Sequence, residues 1–555
     1  MRADPSFDLT RCRWLPVRMR DGTEDELSLR EVFEQAAEVQ RLVGDIPTQE
    51  FALLRLLLAI THDAIQGPVD LDHWQELWDG GLPIKDITDY LDEHRHRFDL
   101  LNPTEPFLQC ARLEIAGEAG SPDRIVADVP NGAPFFTMRA RGASRLGFAE
   151  AARWLLHAHA FDTSGIKTGA KGDPRVKNGK VYPLGVGWAG NLGGVLVEGG
   201  TLSETLLLNL VAFDTDNMRN DPDRDLPAWR HPSPGPGQMD PLELSSRPAG
   251  VRDLYTWQSR RVRLTYDAHG VTGAILGYGD PLAPHNKHQL EPMTGWRRSP
   301  AQEKKLGLAQ VYWPREHDPN RSAWRGLGAL IAGNAPGGQQ RGEAAAIVRP
   351  RILDWAARLS VEGDLPAFLI RARLFGAAYG TQQSVIDEII DDSVTMPLVL
   401  LHREDHGLGQ AAVDAVADAE AAVSALGYFA ADLAFAAGAE TEPPKEAARH
   451  LAFATLDGPF RAWLADLRPQ DDPSRVRAVW QQQAHDMVRR LGYEVLREAG
   501  DAAWEGRVIE TKQGQALWLN APGAERSFHA RLRKALPLAA TDSPGKALDE
   551  LEART

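Results

Sequence analysis

The chain has only two cysteines in 555 residues, Cys12 and Cys110. That excludes a disulfide framework and any zinc site built on paired cysteines, and it fits a reducing, cytoplasmic setting. Long apolar runs are missing as well. The opening residues hold no continuous apolar stretch of signal-peptide type, and the run 51–60 is short and carries Arg55, so neither export nor a membrane span is expected. Positive charge is in deficit: 77 acidic residues face 62 lysines and arginines, a formal net charge of −15. A protein-wide positive field is thereby excluded, and any nucleic-acid contact has to come from local patches. No Gly-x-Ser-x-Gly elbow, Walker loop or doubled Cys-x-x-Cys occurs, which points away from the common hydrolase, nucleotide-binding and zinc-ribbon chemistries.

What is present is an ordinary globular composition, 43% hydrophobic and 25% charged, in a chain long enough for several domains. One segment runs against the global charge. Residues 165–194 concentrate Lys167, Lys171, Arg175, Lys177 and Lys180 among glycines 165, 169, 172 and 179. Glycine permits close backbone approach and cations attract phosphate, so the segment reads as a loop for a polyanion, against the blander reading of a solvated surface loop. Gly185, Gly187 and Gly190 imitate a dinucleotide-binding pattern, but the Gly- and Val-rich residues 191–197 offer no helix to hold a pyrophosphate, and that reading is rejected. A second basic cluster, Lys287, Arg297, Arg298, Lys304, Lys305 and Arg315, is interleaved with Trp296, Tyr312 and Trp313. It suits nucleic acid and half-buried tryptophans beside surface arginines equally well.

Periodicity gives a coarse architecture. Asp21-Gly22 is a turn, and Ser28 with Glu31 spells a capping box. An apolar helix is expected from Pro47 with Thr48 as its N-cap, and others over 148–159 and 202–211. Residues 251–275 alternate as strands do, with Val262, Leu264 and Tyr266 on one face, and 366–379 reads as another strand. After about residue 400 the pattern turns alanine-rich and helical over 409–438, 444–467, 473–500 and 527–536. The expected fold class is α+β: a large mixed N-terminal domain over 1–400 and a C-terminal antiparallel four-helix bundle over 401–555.

Catalytic signals are sparse. His62-Asp63, His317-Asp318 and His485-Asp486 each spell the dyad of metal-dependent phosphohydrolases, yet that chemistry needs a further His and Asp converging on the metal. Three scattered copies read as chance. His402 and His406 have i, i+4 spacing without the zincin order. No catalytic residue, metal or cofactor is therefore expected, and a metal-dependent phosphohydrolase stands as the alternative.

Several separated blocks agree with one another. Trp14-Leu-Pro-Val17, Ser28-Leu-Arg-Glu-Val-Phe33, Pro106-Phe-Leu-Gln109, Leu202-Ser-Glu-Thr-Leu-Leu-Leu-Asn209, Pro227-Ala-Trp229 and Trp324-Arg-Gly-Leu327 together resemble CasA, the large subunit of the type I-E CRISPR surveillance complex Cascade. The resemblance implies a non-catalytic subunit whose partners are other Cascade subunits, the crRNA, double-stranded target DNA and a helicase-nuclease. In that family a glycine loop, a lysine and a glutamine wedge meet the protospacer-adjacent motif (PAM) from the minor groove and open the duplex. By resemblance the wedge is Gln382, Gln383 and Ser384, with Gln382 where the family often has Asn. The glycine loop is Gly165, Lys167, Gly169 and Lys171, and the lysine is Lys287. The loop that reaches the crRNA is 128–134, with Val129 and Asn131 as its contacts. An uncharged amide suits a wedge because it enters a base stack without the desolvation cost of a full charge.

Overall fold

The computed structural model describes residues 5–127, 144–331, 346–363, 365, 369–402, 406–510 and 516–539. Local signals shape its beginning. Gly22, at φ 87°, turns strand Leu15–Met19 back onto Glu24–Leu27, and Val39–Leu42 completes a three-stranded antiparallel sheet. The Ser28 hydroxyl accepts from the Glu31 amide at 3.2 Å while the Glu31 carboxylate accepts from the Ser28 amide at 2.8 Å. This reciprocal cap opens the helix Leu29–Glu34 where the sequence placed it.

The axis of the first core is the helix Pro47–Ile65, in which nearly every residue is buried. Its N-cap is Ile46, not Thr48. Pro47 supplies a preset φ and has no N–H to satisfy, so a side-chain cap is dispensable. Thr48 instead turns inward and puts its hydroxyl 2.9 Å from His157 Nε2 on the neighbouring helix Phe148–Phe161. The expected strand stretch 251–275 begins as a short helix, Val251–Tyr255, before the antiparallel pair Arg260–Asp267 and Gly270–Tyr278. Val262 and Leu264 are buried there, with Tyr266 packed against the same core. Strand Leu369–Tyr379 lies between Ile386–Pro397 and Gly194–Glu198. Gly194 is required at that point, since a Cβ would come 2.9 Å from the Phe51 ring.

Contacts divide the chain into two compact units, the second drawing in Ser322–Ile331 and the residues from Val394 onward. The first is mixed helix and sheet. In the second, the helix His406–Ala437 packs against Glu442–Ala465, Pro473–Arg497 and Ala521–Ala535. Aromatic rings join these helices: Phe429 stacks on Phe528 at 4.8 Å and Trp480 meets Phe460 edge-on at 4.9 Å. A hairpin, Arg507–Glu510 with Ala516–Leu519, is inserted between the last two long helices, which periodicity alone did not foresee. Gly407–Ala437 is the one helix among the described residues long and apolar enough to cross a membrane, and 56% of that apolar window is buried inside the protein. Helix and sheet together make the fold α+β.

Candidate nucleic-acid interface

The turn between strands Leu369–Tyr379 and Ile386–Pro397 carries Thr381, Gln382, Gln383 and Ser384. The Gly380 amide donates to the Val385 carbonyl at 3.1 Å and the Gln383 amide to the Gly380 carbonyl at 2.9 Å, closing a tight tip. Closure forces Gln382 and Gln383 to φ 56° and 55°, a left-handed conformation that costs a residue with a Cβ about 1–2 kcal/mol. Gln382 is exposed and Gln383 half-buried, and neither side-chain amide makes a hydrogen bond among the described residues. Ser384 Oγ donates to the Thr381 carbonyl at 2.9 Å and so shapes the tip from within.

Residues 164–185 are held to this tip. The Ser164 amide donates to the Gln383 carbonyl at 2.7 Å, and the Tyr379 hydroxyl donates to the Phe161 carbonyl at 2.6 Å. What the sequence presents as a free glycine loop is a small hairpin, Lys167–Thr168 against Lys180–Val181. The dipeptide Asn178-Gly179, a strong turn marker, closes the neighbouring turn that sets Lys177 opposite Lys180, while residues 169–179 connect the two paired strands.

Two residues expected at the polyanion surface are inside. Lys167 is buried, with its ammonium 2.7 Å from Asp162, which also accepts from Arg260. Burial alone would raise the Asp162 carboxyl, but Lys167 and Arg260 hold it below the usual carboxylate range, while burial lowers Lys167 despite Asp162. Lys167 is therefore corrected from a DNA contact to a structural cation. Gly169 is buried too, because Val176 packs where a Cβ would stand at 2.6 Å. Gly165 is half-buried and its carbonyl accepts from the Tyr278 hydroxyl at 2.8 Å. Lys171 is exposed, 3.3 Å from an equally exposed Glu114.

Gln383, Tyr278, Arg260, Pro284 and Trp313 line a common cleft of about 150 Å³. Lys287, three residues beyond Pro284, is half-buried, and no carboxylate pairs with it among the described residues. Burial, and then the nearby Arg219, lower its ammonium from the ordinary value. In the second basic cluster Trp296 and Tyr312 are core residues, whereas Trp313 is half-buried and stacks on His285 at 6.3 Å. Arg298 pairs with Glu303 at 2.6 Å, and Lys304 and Lys305 are exposed. Val129 and Asn131 lie outside the described residues.

The histidine dyads are occupied by the fold. His62 Nδ1 lies 2.7 Å from the Gly67 carbonyl, and burial pushes the ring down to about 4. Asp63 accepts from Arg252 at 2.9 Å, Arg230 at 3.0 Å and Tyr90 at 2.6 Å. His317 Nε2 is 3.0 Å from the Gly194 carbonyl, and His485 Nδ1 is 3.3 Å from Asp486. His402 precedes the helix that begins at His406, so the two do not share a helix face. Among the described residues no group of three or more His, Cys, Asp or Glu could hold a metal ion.

Two left-handed glutamines thus stand at the rim of a cleft whose one lining cation among the described residues, Arg260, is paired with Asp162. The sequence model of the family "CRISPR-associated protein Cse1" matches residues 8–491, and the chain belongs to that family. It is similar to Cse1 of Thermobifida fusca, known from a crystal structure, at 63% identity and a TM-score of 0.90, over 97% of this chain and 100% of that one. CasA/Cse1 of Thermus thermophilus is 30% identical over 337 residues, which are 59% of this chain and only 60% of the relative's length. A chain of a CRISPR RNA-guided surveillance complex shares the fold at 21% identity, with a TM-score of 0.63 over 88% of this chain and 99% of that one.

Proposed function

We propose that this chain is the large, non-catalytic subunit of a type I-E CRISPR RNA-guided surveillance complex, acting on double-stranded target DNA at the PAM. The tip at 381–384 is the wedge. One observation carries the reading: two adjacent glutamines are held left-handed at a hairpin tip, with amides that no protein group satisfies among the described residues. Strain of this kind persists where surrounding structure imposes it, and it concentrates at functional sites. Here the imposing contacts are the Ser164–Gln383 bond and the turn closure. Inserted between base pairs, an amide hydrogen-bonds base edges while its stem fills the opened step. Lys287, which no carboxylate pairs among the described residues, is the phosphate or base-edge contact near the cleft. Gly165 and Lys171 supply the adjoining backbone and charge. Strand separation then lets the crRNA pair with the target and the helicase-nuclease act on what has been opened.

The test is Gln383→Ala within the reconstituted complex. Opening of a PAM-bearing duplex, followed with a fluorescent base analogue, should slow roughly tenfold or more, the kinetic size of one lost polar contact of ~1.4 kcal/mol. Unfolding stability should stay within about 0.5 kcal/mol, as for a surface substitution away from packing. Wild-type opening by the variant would remove the wedge from Gln383.

A further inference from the structure

The hairpin 167–181 separates its cations into two kinds. Lys167, in the first strand, is consumed by Asp162, and Arg175, in the connection between the strands, by Asp173 and the carbonyls of Tyr278 and Gly279. Around the turn at 178–179 the situation is reversed. Asn178 and Gly179, at φ 51° and 73°, form a two-residue left-handed turn, and Lys177 and Lys180 exchange both backbone hydrogen bonds across it, at 2.8 and 3.1 Å. Residues opposed in this way project their side chains to the same face. Both lysines are exposed, and neither has an ion-pair partner among the described residues. Like charges directly opposed across a strand pair destabilise it. A chain with 77 acidic residues could have placed a carboxylate at either position. Arg124, also exposed, adds a third cation beside the hairpin, where its guanidinium donates to Thr168 Oγ1 at 3.3 Å.

We infer that Lys177 and Lys180 form a clamp for the phosphate backbone of duplex DNA next to the base pairs that the wedge opens. This rests on the wedge reading and adds to it a contact that is indifferent to sequence. The reach is suitable. Ser164 is bonded to Gln383, four residues of chain from Ser164 to Thr168 span at most about 14 Å, and the paired strand adds about 5 Å. Lys180 thus stands within roughly 22 Å of the wedge backbone and Lys177, one strand spacing further across the turn, within roughly 27 Å, both less than the ~34 Å of one duplex turn. Two ammonium groups on one face match the anion density of a duplex, and their mutual repulsion is relieved once phosphate lies between them.

The experiment uses the complex reconstituted with Lys177→Ala/Lys180→Ala and measures target-duplex affinity across a range of salt concentrations. Each phosphate contact contributes about 0.9 to the slope of log K against log salt, so the variant's slope should be shallower by roughly 1.8, with the preference among flanking motifs unchanged. Lys177→Arg/Lys180→Arg should restore the slope. A wild-type slope in the assembled alanine variant overturns the clamp. So does a variant that sheds crRNA or subunits while keeping the slope, since the lysines would then serve RNA or protein. Gln383→Ala run in parallel keeps the two ideas apart: full duplex opening by that variant sinks the wedge, whereas an unaltered salt slope in the lysine variant sinks only the clamp.

Discussion

The two units solve the same problem, a stable interior, with opposite materials. In the first, charge is taken inside and neutralised there: Arg55 with Glu291, Arg252 with Asp63 and Asp225, Arg260 and Lys167 with Asp162, Arg373 with Glu50. In the second, alanines and stacked rings fill the helix contacts, and the buried polar residues among those described are Asp418, Gln481 and His485. Aliphatic packing tolerates rearrangement, whereas a bidentate ion pair has one good geometry. One of these charges, Arg260, also lines the cleft beside Gln383, where side chains must be held in place; the alanine-rich interior belongs to long, regular helices. The comparison breaks hardest at Glu291, whose carboxylate accepts from Arg55 at 2.8 and 2.9 Å and from Trp188 Nε1 at 2.9 Å. Glu291→Ala should cost about 3–5 kcal/mol in denaturant unfolding of the first unit, because it strands a buried guanidinium. Replacing the pair together, Arg55→Met with Glu291→Leu, should recover most of that loss. If the single variant costs under about 1 kcal/mol, the buried pairs are not what fixes the first unit.

Acid separates the units next. Burial pushes His62 and His159 down to about 4 and His157 to about 3, all in the first unit. Their unfolded value is about 6.5, so between pH 6.5 and 4 the unfolded chain binds more protons than the folded one, and stability falls as pH falls through that window. Each such histidine contributes up to ~1.4 kcal/mol per pH unit there. Asp162, held low by its two cations once burial is overcome, adds its own loss as pH falls below the carboxylate range. The first unit should therefore melt before the second on acidification from pH 7 to 4.5, as followed by tryptophan fluorescence and amide exchange. His157→Gln should flatten the pH slope by about one proton.

Legibility in the sequence tracked the distance over which each feature is decided. The capping box at Ser28 and Glu31 and the apolar helix after Pro47 are local, and both are where periodicity put them. The wedge candidate was legible as a polar turn between strands, although its paired left-handed conformation was not, since two glutamines carry no such preference. Lys167 was misread although its partner Asp162 is only five residues away, because what buries the pair is Arg260, 98 residues from Asp162; Asp63 was rightly set aside, but its partner Arg252, 189 residues away, was equally hidden. A cation run or a His-Asp dipeptide shows charge and chemistry but not which partner will neutralise it.

The smallest expected effect bears on the tip itself, where two residues are held left-handed at the surface and not by buried ion pairs. Gln382→Gly removes the Cβ that opposes the left-handed conformation at φ 56°, and glycine's greater freedom in the unfolded chain offsets part of the gain. A net stabilisation of about 0.5–1 kcal/mol is expected, read as a rise in the unfolding midpoint, together with slower duplex opening because one amide is gone. The two signs must be opposite if strain at the tip is maintained for function. A variant both more stable and fully active would make the left-handed pair a mere by-product of turn closure, and one that is less stable would show that the Gln382 side chain packs in a way that supports the tip.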